Sequence, residues 1–330
     1  ITNNGSTLQS LSIQFPESHI TFADIKLNYD GWNNLLQGLK QHSVTLKTLN
    51  NSHVSLSDFR GLSPALENFD ATLSLEIDIT GTLDTLSINE LAISSQEENI
   101  SLTINGTLNN IMNVDSIRAD IKELSLKGYG SDIADILLLN RKISPKGASV
   151  LSKLGQISFD GKITGTTHLA DVDGYLNTSN GNVALHTQIV RPLRSKTITF
   201  TGKIDGNDVN IGNIISNNDL GKISATVNHN ITLLPNAIKG NISSEVTQAE
   251  YKGYCYSGLN TLINLDDNKI DGSLNIADNN INLTLAGEAI LNDGIPEIDI
   301  HLDANDIAFD RLNLSNKYPG YKLSASIDAI

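Results

Sequence analysis

The groups with chemical reach in this chain are seven histidines, many carboxylates, a single thiol and one short basic run. The histidines, His19, His42, His53, His168, His186, His229 and His301, are scattered, with no pair at metal-ligand spacing and no H-E-x-x-H. Asp266-Asp267-Asn268-Lys269-Ile270-Asp271-Gly272 looks superficially like a calcium loop. It fails the EF-hand spacing, and Ile270 belongs to an alternating strand, so a solvated turn is the plainer reading. There is no G-x-S-x-G, no phosphate loop and no dinucleotide fingerprint. Carboxylates are abundant, yet sequence alone brings no two of them together for glycosidase chemistry. No catalytic residue, metal or cofactor is indicated, and the chain reads as a non-enzyme. Arg191-Pro192-Leu193-Arg194-Ser195-Lys196 is the one basic knot. Lying between two strand patterns, it is either a solvated hairpin tip or a contact for a phosphate-bearing headgroup.

The elements around these groups carry the stronger signal. Phe159-Asp-Gly161-Lys-Ile163-Thr-Gly165 recurs as Phe200-Thr-Gly202-Lys-Ile204-Asp-Gly206. Side chains on a strand alternate between faces, so Ile157, Phe159, Gly161, Ile163 and Gly165 share an apolar face while Ser158, Asp160, Lys162 and Thr164 are polar. The same apolar-x-Gly-x-apolar element surrounds Gly81, Gly106, Gly240 and Gly272. A glycine inside a strand permits a bend, a bulge or a close approach of backbone. Gly81, Gly106, Gly161, Gly202, Gly240 and Gly272 are therefore expected to let a sheet curl around its apolar side.

Aromatic residues make up only 5% of the 330 residues, which suits thin sheets better than a thick interior. The formal charge is −14, and Asn260 to Asp310 holds eleven acidic residues against one basic, Lys269. That balance argues against a nucleic-acid partner, which needs a basic footprint. Cys255 is the only cysteine, so no intrachain disulfide forms and the redox compartment stays open. Neither a signal peptide nor a transmembrane run is present. The chain starts at Ile1 and stops inside the alternating run from Leu323, as expected of a piece of something longer.

Three stretches follow: 1–130, β-rich repeats with short helical turns; 131–155, a helical insertion; and 156–330, a long β-groove segment. In the first, a short helix is expected around Trp32, Leu35, Leu36 and Leu39, and another turn of helix at Ser63-Pro64. Strands are expected at Leu73–Ile79, Leu86–Ile88, Leu91–Ile93, Ile100–Ile104 and Leu124–Leu126. Ser131 to Leu154 should form two helical pieces that either plug the end of a curled sheet or pack on one face. Beyond Gln156 strands follow with short turns. The recurring glycines lie 41, 38 and 32 residues apart, too irregular for a parallel β-helix and suited to an up-and-down sheet. Roughly twenty strands at about 4.8 Å would span nearly 100 Å.

Apolar rows at period two usually form the core of a sandwich. Glycine on the apolar face, scarce aromatics and many strands favour instead a mainly β, elongated, curled antiparallel sheet with an open apolar groove. Its lining would be Ile157, Phe159, Ile163, Leu176, Val183, Leu185, Ile198, Phe200, Ile204, Leu274, Ile276, Leu283 and Leu285. A carbohydrate-binding β-protein is a rival, but it would need an exposed aromatic platform that the sequence largely lacks.

The order of these motifs carries a resemblance. Leu154-Gly155-x-Ile157-x-Phe159-x-Gly161-x-Ile163-x-Gly165 is followed by Gly174-x-Leu176 and Gly181-x-Val183. Phe200-x-Gly202, Asn210-Ile211-Gly212, Tyr251-x-Gly253-Tyr254, Ile270-x-Gly272-x-Leu274 and Leu312-Asn313-Leu314 then come in turn. Residues 150–316 resemble the TamB family, Bacteroidetes-type, within the AsmA-like superfamily; 9–110 fit its earlier repeats more loosely. The resemblance implies a β-taco groove that conducts phospholipid between inner and outer membranes. It also implies a periplasmic location, an inner-membrane anchor outside this stretch, and an Omp85-type partner met through regions not recognisable here. The other role the resemblance implies is a scaffold assisting assembly of outer-membrane β-barrels by strand augmentation.

Overall fold

The computed structural model describes residues 5–29, 31, 42–49, 51–58, 71–82, 84–95, 99–139, 143–291 and 295–329. The helix expected around Trp32 and the turn at Ser63-Pro64 lie outside them. The protein is mainly β, built of antiparallel strands with few helices. It divides into two compact units, Ile1–Ser179 and Asn180–Ile330.

The first unit holds β1 (Gly5–Gln14), β2 (His19–Asn28), β3 (Val44–Thr48), β4 (His53–Ser55), β5 (Thr72–Gly81), β6 (Thr85–Ser95), β7 (Ile100–Asn109), β8 (Arg118–Tyr129), β9 (Gln156–Thr166) and β10 (Leu169–Thr178). From β5 to β10 each strand pairs with the next. The sequence pattern of β6 breaks between Ile88 and Leu91, which reads as two strands. The structure has one strand with a bulge there: Ile88 stands opposite Gly106 and Leu91 opposite Ile104. Asn89 and Glu90 take up the extra length and are exposed. The same bulge makes the β5–β6 register slip between Asp78 and Ile79, and a second, at Lys122-Glu123 of β8, makes it slip against both β7 and β9. Bulges bend a strand and strengthen its twist. The Asn105 side chain, opposite the first bulge on β7, donates to the Asn89 carbonyl at 2.6 Å and ties that bulge to its neighbour.

Helices α1 (Gly130–Leu139) and α2 (Pro145–Lys153) form a hairpin between β8 and β9. Ser144 caps α2, accepting from the Gly147 N–H, with Pro145 at the first helical position, and Gly155 ends the segment at φ +68°. The helices meet closely because Gly130 has no side chain; a Cβ there would sit 2.1 Å from the Leu151 carbonyl oxygen. Ala134 and Ala148 are buried. The strands on either side of the insertion pair directly, Gly128 opposite Ile157 and Tyr129 opposite Gln156. The sheet of this unit therefore runs past the helices unbroken.

The second unit holds β11 (Gly181–Val190), β12 (Ile198–Asn210), α3 (Ile211–Ile215), β13 (Leu220–Leu233), β14 (Ile238–Tyr251), β15 (Tyr254–Tyr256), β16 (Leu259–Asp266), β17 (Lys269–Asp278), β18 (Ile281–Ile290), β19 (Glu297–Ile307) and β20 (Leu323–Ala329). It is again a meander; the short β15 folds back on the end of β14, which also pairs with β16. Among the described residues of the whole chain, twelve hydrophobic residues are buried. Neither unit has the thick core of a sandwich. Among the described residues, the one buried cluster, Tyr256, Ile281 and Leu312, lies at one end of the second unit's sheet.

Candidate functional site

Residues directly opposite in an antiparallel pair point to the same face, so the registers assemble rows across each sheet. In the second unit one row is Ile189–Phe200–Ile231–Gly240–Leu265–Ile270–Ala289–Ile298. The next is Thr187–Gly202–His229–Ile242–Ile263–Gly272–Gly287–Ile300. Then come Leu185–Ile204–Val227–Ser244–Thr261–Leu274–Leu285–Leu302–Ile327 and Val183–Gly206–Ala225–Val246–Leu259–Ile276–Leu283–Ala304–Ala325. Ile198, Leu233 and Ile238 continue the face at one end. No carboxylate, lysine or arginine stands in these rows. The charges occupy the opposite face, in pairs such as Lys203–Asp205 at 2.9 Å and Lys269–Glu288 at 2.6 Å.

The register thus places nine of the expected lining residues, Val183, Leu185, Ile198, Phe200, Ile204, Leu274, Ile276, Leu283 and Leu285, on one face of the second unit. Most are half-buried. Ile276 and Leu283 pack against the buried Tyr256–Ile281–Leu312 cluster and so lie at a closed end. There the turn after β19 folds over the sheet, with Leu312 wholly buried and its N–H bonded to the Ala308 carbonyl at 3.0 Å. Away from that end, an almost wholly apolar hollow of about 290 Å³ opens over β16 to β19, lined by Ile263, Ile270, Leu274, Leu285, Ala289 and Ile300 among others.

In the first unit the row Leu75–Ile93–Leu102–Leu126–Phe159–Leu176 lies beside Ile77–Leu91–Ile104–Leu124–Gly161–Gly174 and Ile79–Ile88–Gly106–Ile121–Ile163–Val172. Phe159, Ile163 and Leu176 are half-buried in this face, whereas Ile157 is 4% exposed beside Gly130 of the helical hairpin. A larger hollow of about 560 Å³ lies mainly over the opposite, polar side, lined by Ser74, Glu76, Ser94, Ser101 and Lys127 among others. Its chemistry does not suit a hydrocarbon.

All six glycines expected to shape the sheet sit where a neighbouring backbone closes in. At Gly202 a Cβ would stand 2.1 Å from the His186 carbonyl oxygen, and at Gly240 2.0 Å from that of Asn230. Gly240 also has φ +143°, a conformation other residues rarely adopt. The corresponding approaches are 2.2 Å at Gly81, 2.4 Å at Gly106 and Gly272, and 2.5 Å at Gly161.

Sequence reasoning missed the polar residues inside the apolar face. Gly202 separates Thr187 from His229, and across it the two side chains reach 3.4 Å, Thr187 Oγ1 to His229 Nε2. His229 Nδ1 is buried without a partner among the described residues, and burial pushes the imidazole pKa down. One row away Ser244 and Thr261 bond to each other at 2.7 Å. The signal was present: His229 has the same parity as Val227, Ile231 and Leu233. Pairing polar groups with each other limits the cost of placing them among hydrocarbon.

Among the described residues no group of three or more His, Cys, Asp and Glu is placed to hold a metal. The aspartates after Leu265 form the β16–β17 turn, with Asp266 paired to Lys239 at 2.6 Å and Asp271 accepting from Asn264. The exposed tyrosines Tyr318 and Tyr321 meet edge to face at 78°, which does not make a flat platform for sugar rings. Among the described residues no helix is long and apolar enough to cross a membrane. The chain matches no family model, no curated protein and no solved structure.

Proposed function

We propose that the apolar face holds lipid acyl chains, and that the chain is a segment of a periplasmic, bridge-like lipid transfer protein of the TamB type. The observation that carries this is the set of contiguous apolar rows in the second unit, half-buried and free of charged residues from Phe200 to Leu302. Each CH₂ taken out of water contributes about 0.8 kcal/mol, so an acyl chain gains from any continuous stretch of such rows. The work is physical: a path without a deep trap, with the headgroup left in water. No bond needs to be made or broken, and no catalytic group or cofactor is required. The partner is phospholipid, and an Omp85-type protein would be met through other regions.

The test is crosslinking from a photoreactive residue at Ile204, with mass spectrometry of the captured species. Phospholipid adducts that disappear in Phe200→Arg are expected. Adducts unchanged by that substitution, or captured peptide without lipid, would overturn the reading.

A second reading, a scaffold for outer-membrane strands, is favoured by β1. Its ten residues carry no charge and no proline, and Leu8, Leu11 and Ile13 are exposed. Among the described residues it pairs with β2 alone, and such an edge can accept another strand. Crosslinks from β1 to unfolded barrel proteins would decide for it.

A further inference from the structure

The first hairpin tip along one edge of the second unit differs from the rest of this acidic protein. The connections β11–β12, β13–β14, β16–β17 and β18–β19 share that edge, because the strands alternate in direction. Adjacent tips are tied by backbone bonds, Asp267 N–H to Ile238 C=O at 2.9 Å and Leu291 N–H to Asn268 C=O at 2.8 Å. Large apolar side chains stand out from them: Leu193 is 54% exposed, Ile238 47%, Leu291 52% and Ile295 88%. The first tip also carries Arg191, Arg194 and Lys196, all exposed. Residues 174–204 contain no Asp or Glu in a chain that has 37 of them.

Local charge reversal around an exposed leucine is what an anionic bilayer surface attracts: the cations meet lipid phosphates and the apolar tip enters the interface. We infer that the Arg191–Lys196 tip docks this edge on an anionic lipid bilayer. The docking needs neither helix nor anchor. It is independent of whether acyl chains travel along the apolar face, since the tip lies at the edge and its cations contact only headgroups. The acidic groups that follow, Asp266-Asp267 at the β16–β17 turn and Glu297 and Asp299 at the start of β19, are repelled by the same surface, so contact is confined to the β11–β12 end of the edge.

The experiment is partition of the full chain onto unilamellar vesicles of phosphatidylcholine, alone or mixed with phosphatidylglycerol. Binding to the mixed vesicles only, weakened by salt, is expected. R194E/K196E should lower that partition by at least about thirtyfold, since each cation near such a surface is worth about a factor of five. K222E/K317E makes the same change in net charge at the opposite edge and should leave binding as it was. Parent protein that ignores anionic vesicles, equal losses in the two double variants, or no loss in R194E/K196E would each overturn the inference. Equally tight, R194E/K196E-sensitive binding to polyglutamate would also overturn it, assigning the tip to an acidic protein. Uptake of a fluorescent fatty acid without vesicles reports on the apolar face alone, and R194E/K196E should leave it unchanged.

Discussion

The Phe159 ring lies against the backbone of Gly174 on the neighbouring strand: a Cβ on that glycine would sit 2.5 Å from the ring. Gly174 stands opposite Gly161, two residues along from Phe159, so the ring covers a pair of glycines. Gly174→Ala should therefore displace the ring and destabilise the protein by about 1–3 kcal/mol. Phe159→Leu in the same chain should recover part of that loss. Urea denaturation of the two single variants and the double variant checks this, and strictly additive losses would contradict it.

Gly202 and Gly206 share a strand face but not a constraint. At Gly202 the obstacle is the His186 carbonyl, which cannot rotate away, whereas the nearest atom at Gly206 is a Val209 methyl at 3.3 Å. Gly202→Ala should cost about 1–3 kcal/mol. Gly206→Ala should stay within about 1 kcal/mol of the parent. Thermal melts of the two variants side by side make the comparison.

Leu312 closes one end of the second unit's apolar face and is wholly buried. Leu312→Ala should cost about 2–5 kcal/mol. Hydrogen exchange should rise first in the turn after β19 and in β15, because the Tyr256–Ile281–Leu312 cluster is shared between them.

Two histidines give the second unit opposite responses to pH. Hydrogen bonds to Asp328 at 2.6 Å and Asp303 at 2.8 Å raise the His301 pKa, so this pairing is complete below the ordinary value of 6.5 and is lost as pH rises through the raised one. Burial lowers the His229 pKa, so its contribution is present above 6.5 and is lost as pH falls through the lowered one. His301→Gln should abolish the alkaline rise in exchange along β20, and His229→Gln should reduce acid sensitivity near β13. Exchange profiles across pH 5 to about 8 test both signs.

Strand positions and the apolar face were legible because both follow from period-two alternation, as along Phe200, Gly202 and Ile204. The glycines were legible for the same reason: each breaks an apolar parity without changing it. The bulges were not. A slip such as Ile88 to Leu91 looks like a turn until the partner strand is known. Closure by Leu312 depends on a turn reaching back to Tyr256, far away in sequence, and no local pattern encodes that. His229 was overlooked because its burial depends on its cross-strand neighbours, Gly202 on one side and Ile242 on the other, which no local pattern names.

From β5 to β10 every ladder joins strands that follow one another in the chain, and even the helical hairpin leaves β8 beside β9. Such a sheet can gain or lose one pair of strands at a time without rewiring the remainder. Its reach is therefore a quantity that insertion and deletion can tune in small steps, each worth two strand widths, or about 10 Å.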